Sequence, residues 1–167
     1  IPNLVSTIST IFFQAWNMSA IMENKSADKG RFYQQIFLAY QSMMFIASGF
    51  LIVFVRLLSD IIIDTKTFDG YNTAYIYTPV LVIAVLMMCF NQFLSSIYSA
   101  TQKTSHSFWT ALVAAVVNIV LNYFLILKFG IMGAVIATFA SYFICYLIRI
   151  YDSRKLIYFK VSHFRFT

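Results

Sequence analysis

Six polar side chains stand inside or beside long apolar runs of this sequence: Gln14, Arg56, Asn91, Gln92, Asn118 and Asn122. Their types and spacings do not make a catalytic set. His106 and His163 lie in separate polar stretches, and no two carboxylates share an apolar run. Metal-ligand spacings, phosphate-cradling glycine loops and activated nucleophiles are missing from the sequence as well. The chain therefore reads as a non-enzyme with no catalytic residues, no metal and no cofactor. What amides can do in an apolar setting is hydrogen-bond. They either join neighbouring helices, at about 0.6 kcal/mol on average, or line a path for a polar solute. Both readings stay open for Gln14, Asn91 and Gln92, and for Asn118 and Asn122, which one helical turn places on the same side. Arg56 either snorkels to the interface, with Asp60 one turn on as its partner, or draws anions toward a cavity. Cys89 and Cys145 fall within apolar runs and suggest neither a disulfide nor a metal site.

The elements that must hold these side chains are membrane-length helices. Residues 110–127 and 131–148 are almost wholly apolar, with only Lys128, Phe129 and Gly130 between them. At ~1.5 Å per residue each run crosses a ~30 Å hydrocarbon core, and a glycine-capped turn sends the second back antiparallel beside the first. Similar runs precede them. Helices are expected at about 4–22, 33–58, 74–100, 107–127 and 131–151, an all-α polytopic bundle of about five crossings over residues 1–151. Ser6, Thr7, Ser9, Thr10 and Gln14 make the first crossing unusually polar, so one of its sides should face protein or water. In the final hairpin, Ala111, Ala115, Asn118 and Asn122 form one small, polar stripe. Gly133, Ala137 and Ser141, flanked by Ala134, Thr138 and Cys145, recur every four residues and are expected as a helix-packing seam. Val135, Phe139, Phe143, Tyr146 and Ile150 carry the bulk on the far side.

Composition agrees with a bilayer as solvent. Of the 167 residues 60% are hydrophobic and only 11% charged, against about 25% charged in a soluble domain. The net charge of +6 does not point to nucleic acid, because the basic residues flank apolar runs. Lys25, Lys29, Arg31, Lys103, Arg149, Arg154, Lys155, Lys160 and Arg165 fall on one side, and Arg56, Lys66 and Lys128 on the other. This asymmetry puts the C-terminus in the cytoplasm of a multi-pass plasma-membrane protein. Trp16 and Trp109 then fall at the cytoplasmic face as part of an aromatic belt. Residues 152–167 form a basic, aromatic tail expected along the cytoplasmic leaflet. The chain begins Ile-Pro-Asn and is apolar almost at once, which reads as a cut through a longer protein with at least one earlier helix.

The run Asn118-x-x-x-Asn122 followed by Gly130-x-x-Gly133-Ala134-x-x-Ala137-Thr138 resembles the C-terminal lobe of the flippases that carry O-antigen and exopolysaccharide repeat units. These belong to a superfamily shared with MATE-type exporters. Phe13-Gln14-Ala15-Trp16 with Ser19-Ala20-Ile21, and Lys103-Thr104 ahead of the hairpin, are similar too. The resemblance implies one lobe of a two-lobe, MATE-like transporter with a central cavity. It implies translocation of an undecaprenyl-pyrophosphate-linked oligosaccharide, and contact with the bilayer and with polysaccharide polymerase machinery. Its substrate-cavity candidates are the six polar residues above. Two other functions remain open: a cation-coupled drug or metabolite exporter, and a non-transporting membrane subunit of polysaccharide synthesis.

Overall fold

The computed structural model describes residues 1–23, 29–62 and 74–156. Among them the chain is entirely helical. α1 spans Pro2–Glu23, α2 Lys29–Val53, α3 Val55–Ile62, α4 Ala74–Ala100, α5 Thr104–Phe129 and α6 Ile131–Leu156. The segment expected as one helix over 33–58 divides at Phe54 into α2 and α3. The hydrogen-bond ladder carries on through the break, with the Phe54 and Leu58 amides donating to Phe50 and Phe54 at 3.0 and 2.9 Å. Among the described residues four helices are both long and apolar enough to cross a membrane: 30–53 of α2, 75–100 of α4, α5, and 131–153 of α6. The expectation was about five. α1 has 22 residues but is diluted by its hydroxyls and amides.

α4 is the central helix, packed against every other element. On one side α1 and α2 close over it through aromatic side chains. Phe93 of α4 stacks on Trp16 with centroids 5.0 Å apart and meets Phe37 and Tyr40 at 4.9 and 5.5 Å. Such pairs add roughly 0.5–1.5 kcal/mol each beyond the area they bury. That matters in a bilayer, where apolar burial alone drives no helix association. Trp16 is turned into this core and only 4% exposed, so it is not part of an interfacial belt; Trp109 is outward and exposed.

On the other side of α4 lies α6, with α5 beyond it. The α5–α6 turn is made by Gly130 at φ 56°, its amide donating to Ile126 at 2.9 Å. Left-handed backbone at a helix end is where glycine is needed. Sandwiched between two helices, α6 buries both its sides. Gly133, Ala137 and Ser141 are buried, but so are Val135 and Ile150, which had been placed on the far side. A side chain at Gly133 would run into the carbonyl of Leu125, so the backbones touch there. On α5 the contact face is rotated by one residue from the expected stripe. Thr110 and Ala114 are buried, whereas Ala111 and Ala115 are exposed.

Residues 152–156 were read as the start of the tail and belong to α6; residues 157–167 lie outside the described residues.

Candidate functional site

α1 shows three faces to its surroundings. Val5, Ser9 and Trp16 point into the core. Leu4, Ile11, Met18 and Met22 form an exposed apolar strip. Between these faces Asn3, Thr7, Thr10, Gln14 and Asn17 make an exposed polar strip at i, i+4, i+7, i+11 and i+14. The backbone absorbs some of that polarity, since Thr7 and Thr10 donate to the carbonyls of Asn3 and Ser6 at 3.0 and 2.8 Å. Carboxamides cannot be hidden so easily, and lipid tails offer them nothing. This face needs water or polar protein against it.

Beside it α4 supplies the second wall. Thr10, Phe13 and Asn17 of α1 and Gln92, Ser95, Ser96 and Ser99 of α4 line an open groove of about 350 Å³. The lining is uncharged, with one aromatic ring. Its groups are held in place from behind. Trp16 Nε1 donates to Ser96 Oγ at 2.8 Å, and Ser96 donates to the Phe93 carbonyl at 2.6 Å. Ser9 Oγ lies 2.6 Å from the Tyr40 hydroxyl and donates to Gln92 Oε1 at 3.5 Å. Ser95 and Ser107 share a hydroxyl contact of 2.6 Å.

Of the six residues singled out from the sequence, the groove takes in Gln92 alone. Gln14 is exposed on the polar strip of α1, between Thr10 and Asn17. Asn91, next to Gln92, points the opposite way. It is 5% exposed and donates to the carbonyls of Met87 and, across to α6, Tyr142 at 3.0 and 2.8 Å. Asn118 donates to Ser141 Oγ at 3.1 Å, and Asn122 donates back to Asn118. Both are engaged in the α5–α6 seam. Arg56 is exposed on α3 and lies over the Tyr75 ring, 6.0 Å from its centroid; it makes no ion pair with Asp60. At ~1.5 Å per residue, Tyr75 is about 26 Å along α4 from Gln92.

One residue escaped the sequence reading. Arg149 had been counted among basic flanking residues, yet it is 6% exposed. Its guanidinium donates to Thr110 Oγ1 at 3.0 Å, the Asn91 carbonyl at 2.6 Å and the Ser107 carbonyl at 3.1 Å, so one side chain ties α4, α5 and α6 together. A signal was present: the stripe Gly133, Ala137, Ser141 continues at the same period through Cys145, Arg149 and Ser153, all buried. One turn on, Asp152 Oδ2 and His106 Nδ1 share a hydrogen bond of 2.8 Å, the sole contact of a carboxylate with a basic side chain among the described residues.

Fold and groove together define a polytopic helical membrane protein with one polar wall. The MatE family model matches residues 23–124, well over half of the chain. The chain belongs to the MatE family, and it is a multi-pass membrane transporter of that kind. No curated protein and no solved structure matches it. The matched span runs from α2 into α5; the α1 wall of the groove and all of α6 lie outside it.

Proposed function

We propose that the α1–α4 groove is part of the wall of a transport path for lipid-linked oligosaccharide. The solute is an undecaprenyl-pyrophosphate-linked repeat unit bound for cell-surface polysaccharide. The protein moves it across the plasma membrane, and the C-terminal end of the chain is cytoplasmic. The single observation that carries this reading is the chemistry of the groove: hydroxyls and carboxamides with one aromatic ring, and no charge. Sugar hydroxyls need neutral donors and acceptors in numbers, plus an apolar surface for their C–H faces. A cation-coupled exporter would place a carboxylate on the path, whereas Asp152 is engaged with His106 outside the groove.

In mechanism, the groove exchanges hydrogen bonds with the sugars for those the sugars made with water. The polyprenyl tail stays in lipid beside the apolar strip of α1. Substrate binding stabilises one of two arrangements of the transporter, and rocking between them carries the head group across. A translocation assay with the full-length protein in liposomes tests this. Gln92→Ala and Asn17→Ala, each at wild-type abundance, are expected to cut oligosaccharide translocation several-fold. Full activity in both would remove the groove from the path.

A further inference from the structure

A buried arginine usually meets a carboxylate, because an uncompensated charge away from water is costly. Among the described residues none lies within ion-pair distance of Arg149. Its charge is instead spread over neutral acceptors: two carbonyls, the Thr110 hydroxyl and, at 3.4 Å, Ser107 Oγ. The last of these leads somewhere. Ser107 Oγ, accepting from the guanidinium, is 2.6 Å from Ser95 Oγ, and Ser95 lines the groove.

The direction of this chain follows from charge. A hydroxyl oxygen that accepts from a guanidinium becomes a poorer acceptor and a better donor. The contact between the two hydroxyls can run either way, and this polarisation favours Ser107 as its donor and Ser95 as its acceptor. Among the described residues Ser95 Oγ bonds to no backbone carbonyl, and the one a turn back, that of Asn91, is already taken by Arg149, so with Ser107 as donor the Ser95 hydroxyl proton is available to a ligand in the groove. Ser99, also in the lining, donates to the Ser95 carbonyl at 3.4 Å and leaves the hydroxyl free. The result is a donor at the groove surface backed by a buried positive charge two hydrogen bonds away.

We infer that Arg149, acting through Ser107 and Ser95, makes this end of the groove a subsite for an anionic oxygen of phosphate type. The inference rests on the reading of the groove as a solute path. Arg149 and Ser107 are positioning residues, and Ser95 is the group that touches the ligand. Two sources share this chemistry: the pyrophosphate of a carried solute and the headgroup of a membrane phospholipid.

The test uses the full-length protein in detergent, with Trp16 emission as reporter because its indole is bonded to Ser96 in the groove; the Trp16→Phe protein supplies the background. Inorganic pyrophosphate should change this emission saturably. Ser107→Ala cuts the relay yet leaves Arg149 its bonds to Thr110, Asn91 and the Ser107 carbonyl, so it folds normally. It should weaken pyrophosphate binding roughly tenfold, the effect of losing one charge-assisted hydrogen bond. Gln41→Ala removes a hydrogen bond between α2 and α6 that reaches neither Arg149 nor the groove and should leave binding unchanged. Arg149→Lys should recover part of the affinity lost in Arg149→Met. The uncharged sugar maltotriose should respond equally in wild type and Ser107→Ala.

In nanodiscs, a Ser107-dependent response to phosphatidic acid over phosphatidylcholine, with none to pyrophosphate, would keep the subsite and assign it to a lipid headgroup. Wild-type affinity in Ser107→Ala, or no response to either phosphate probe, overturns the inference. If Ser107→Ala binds normally while Gln92→Ala and Asn17→Ala lose translocation, the relay fails and the groove stands. If those two variants translocate normally, the groove reading itself has failed.

Discussion

The backbone contact between α6 and α5 at Gly133 makes Gly133→Ala a demanding test of the packing described here. A Cβ at 133 would collide with the carbonyl carbon and oxygen of Leu125 and lie 2.9 Å from the Ile126 amide nitrogen. All three are backbone atoms of α5, so no rotamer change relieves the clash. α5 must move outward, and the Asn118–Ser141 bond at 3.1 Å, two turns along the same seam, stretches with it. Overpacking of this kind costs about 1–3 kcal/mol, and a weakened interhelical bond adds about 0.6 kcal/mol. Gly49 provides the opposite case, because a Cβ there meets nothing within 4 Å. Gly49→Ala should gain about 0.5–1 kcal/mol through helix propensity alone. Thermal unfolding of both variants in the same detergent should therefore shift in opposite directions, down for Gly133→Ala and up for Gly49→Ala. Equal or reversed shifts would mean that α5 and α6 do not touch at this point.

Neighbouring amides should separate by role. Asn91→Ala forfeits the bond to the Tyr142 carbonyl and should lower abundance and transport together, by about 1–2 kcal/mol in stability, whereas Gln92→Ala should lower transport at normal abundance. Arg149→Met should destabilise the bundle by about 2 kcal/mol or more, because it strips donors from buried acceptors. His106→Ala, at a half-exposed pair, should cost less than about 1 kcal/mol; chemical or thermal denaturation of each variant reads both. For orientation, single cysteines replacing Gln102 and Lys128 in a background lacking Cys89 and Cys145 report the two opposite ends of α5, both exposed. An impermeant thiol reagent on intact cells should label only Lys128→Cys, and preferential labelling of Gln102→Cys would invert the topology.

The helices were legible because a bilayer leaves the chain little choice. An apolar run of twenty residues flanked by charge has to be a helix, and Lys128-Phe129-Gly130 has to be a turn. Side-chain direction was harder, since it depends on neighbours that a single sequence does not declare. Ala111 and Ala115 are as small as Ala114, and only contact with α6 selects Ala114. Val135 and Ile150 read as outward bulk until α6 is seen between two helices. Trp16 has the composition of a belt residue; its inward turn follows from Phe93 and Ser96, nearly eighty residues away. Arg149 was misread for a related reason. Near a helix end, an arginine is ordinarily a flanking charge, and its burial depends on Ser107 and Thr110 supplying acceptors from the next helix. The polar strip of α1 was the part of the candidate site most visible in advance, because Thr10 and Gln14 stand out against lipid whatever packs beside them. Asn17 and the serines of α4 gained meaning only when the two helices were set side by side.

The central claim is that the polar strip of α1 faces water while its apolar strip faces lipid. It is tested most directly by cysteine scanning of α1 in the full-length, otherwise cysteine-free protein in membranes. Thr10→Cys, Gln14→Cys and Asn17→Cys should react with a charged, water-soluble thiol reagent. Leu4→Cys, Ile11→Cys and Met18→Cys should react only with a lipid-soluble maleimide. Labelling that ignores the helical periodicity, or that favours the apolar strip, would contradict the account.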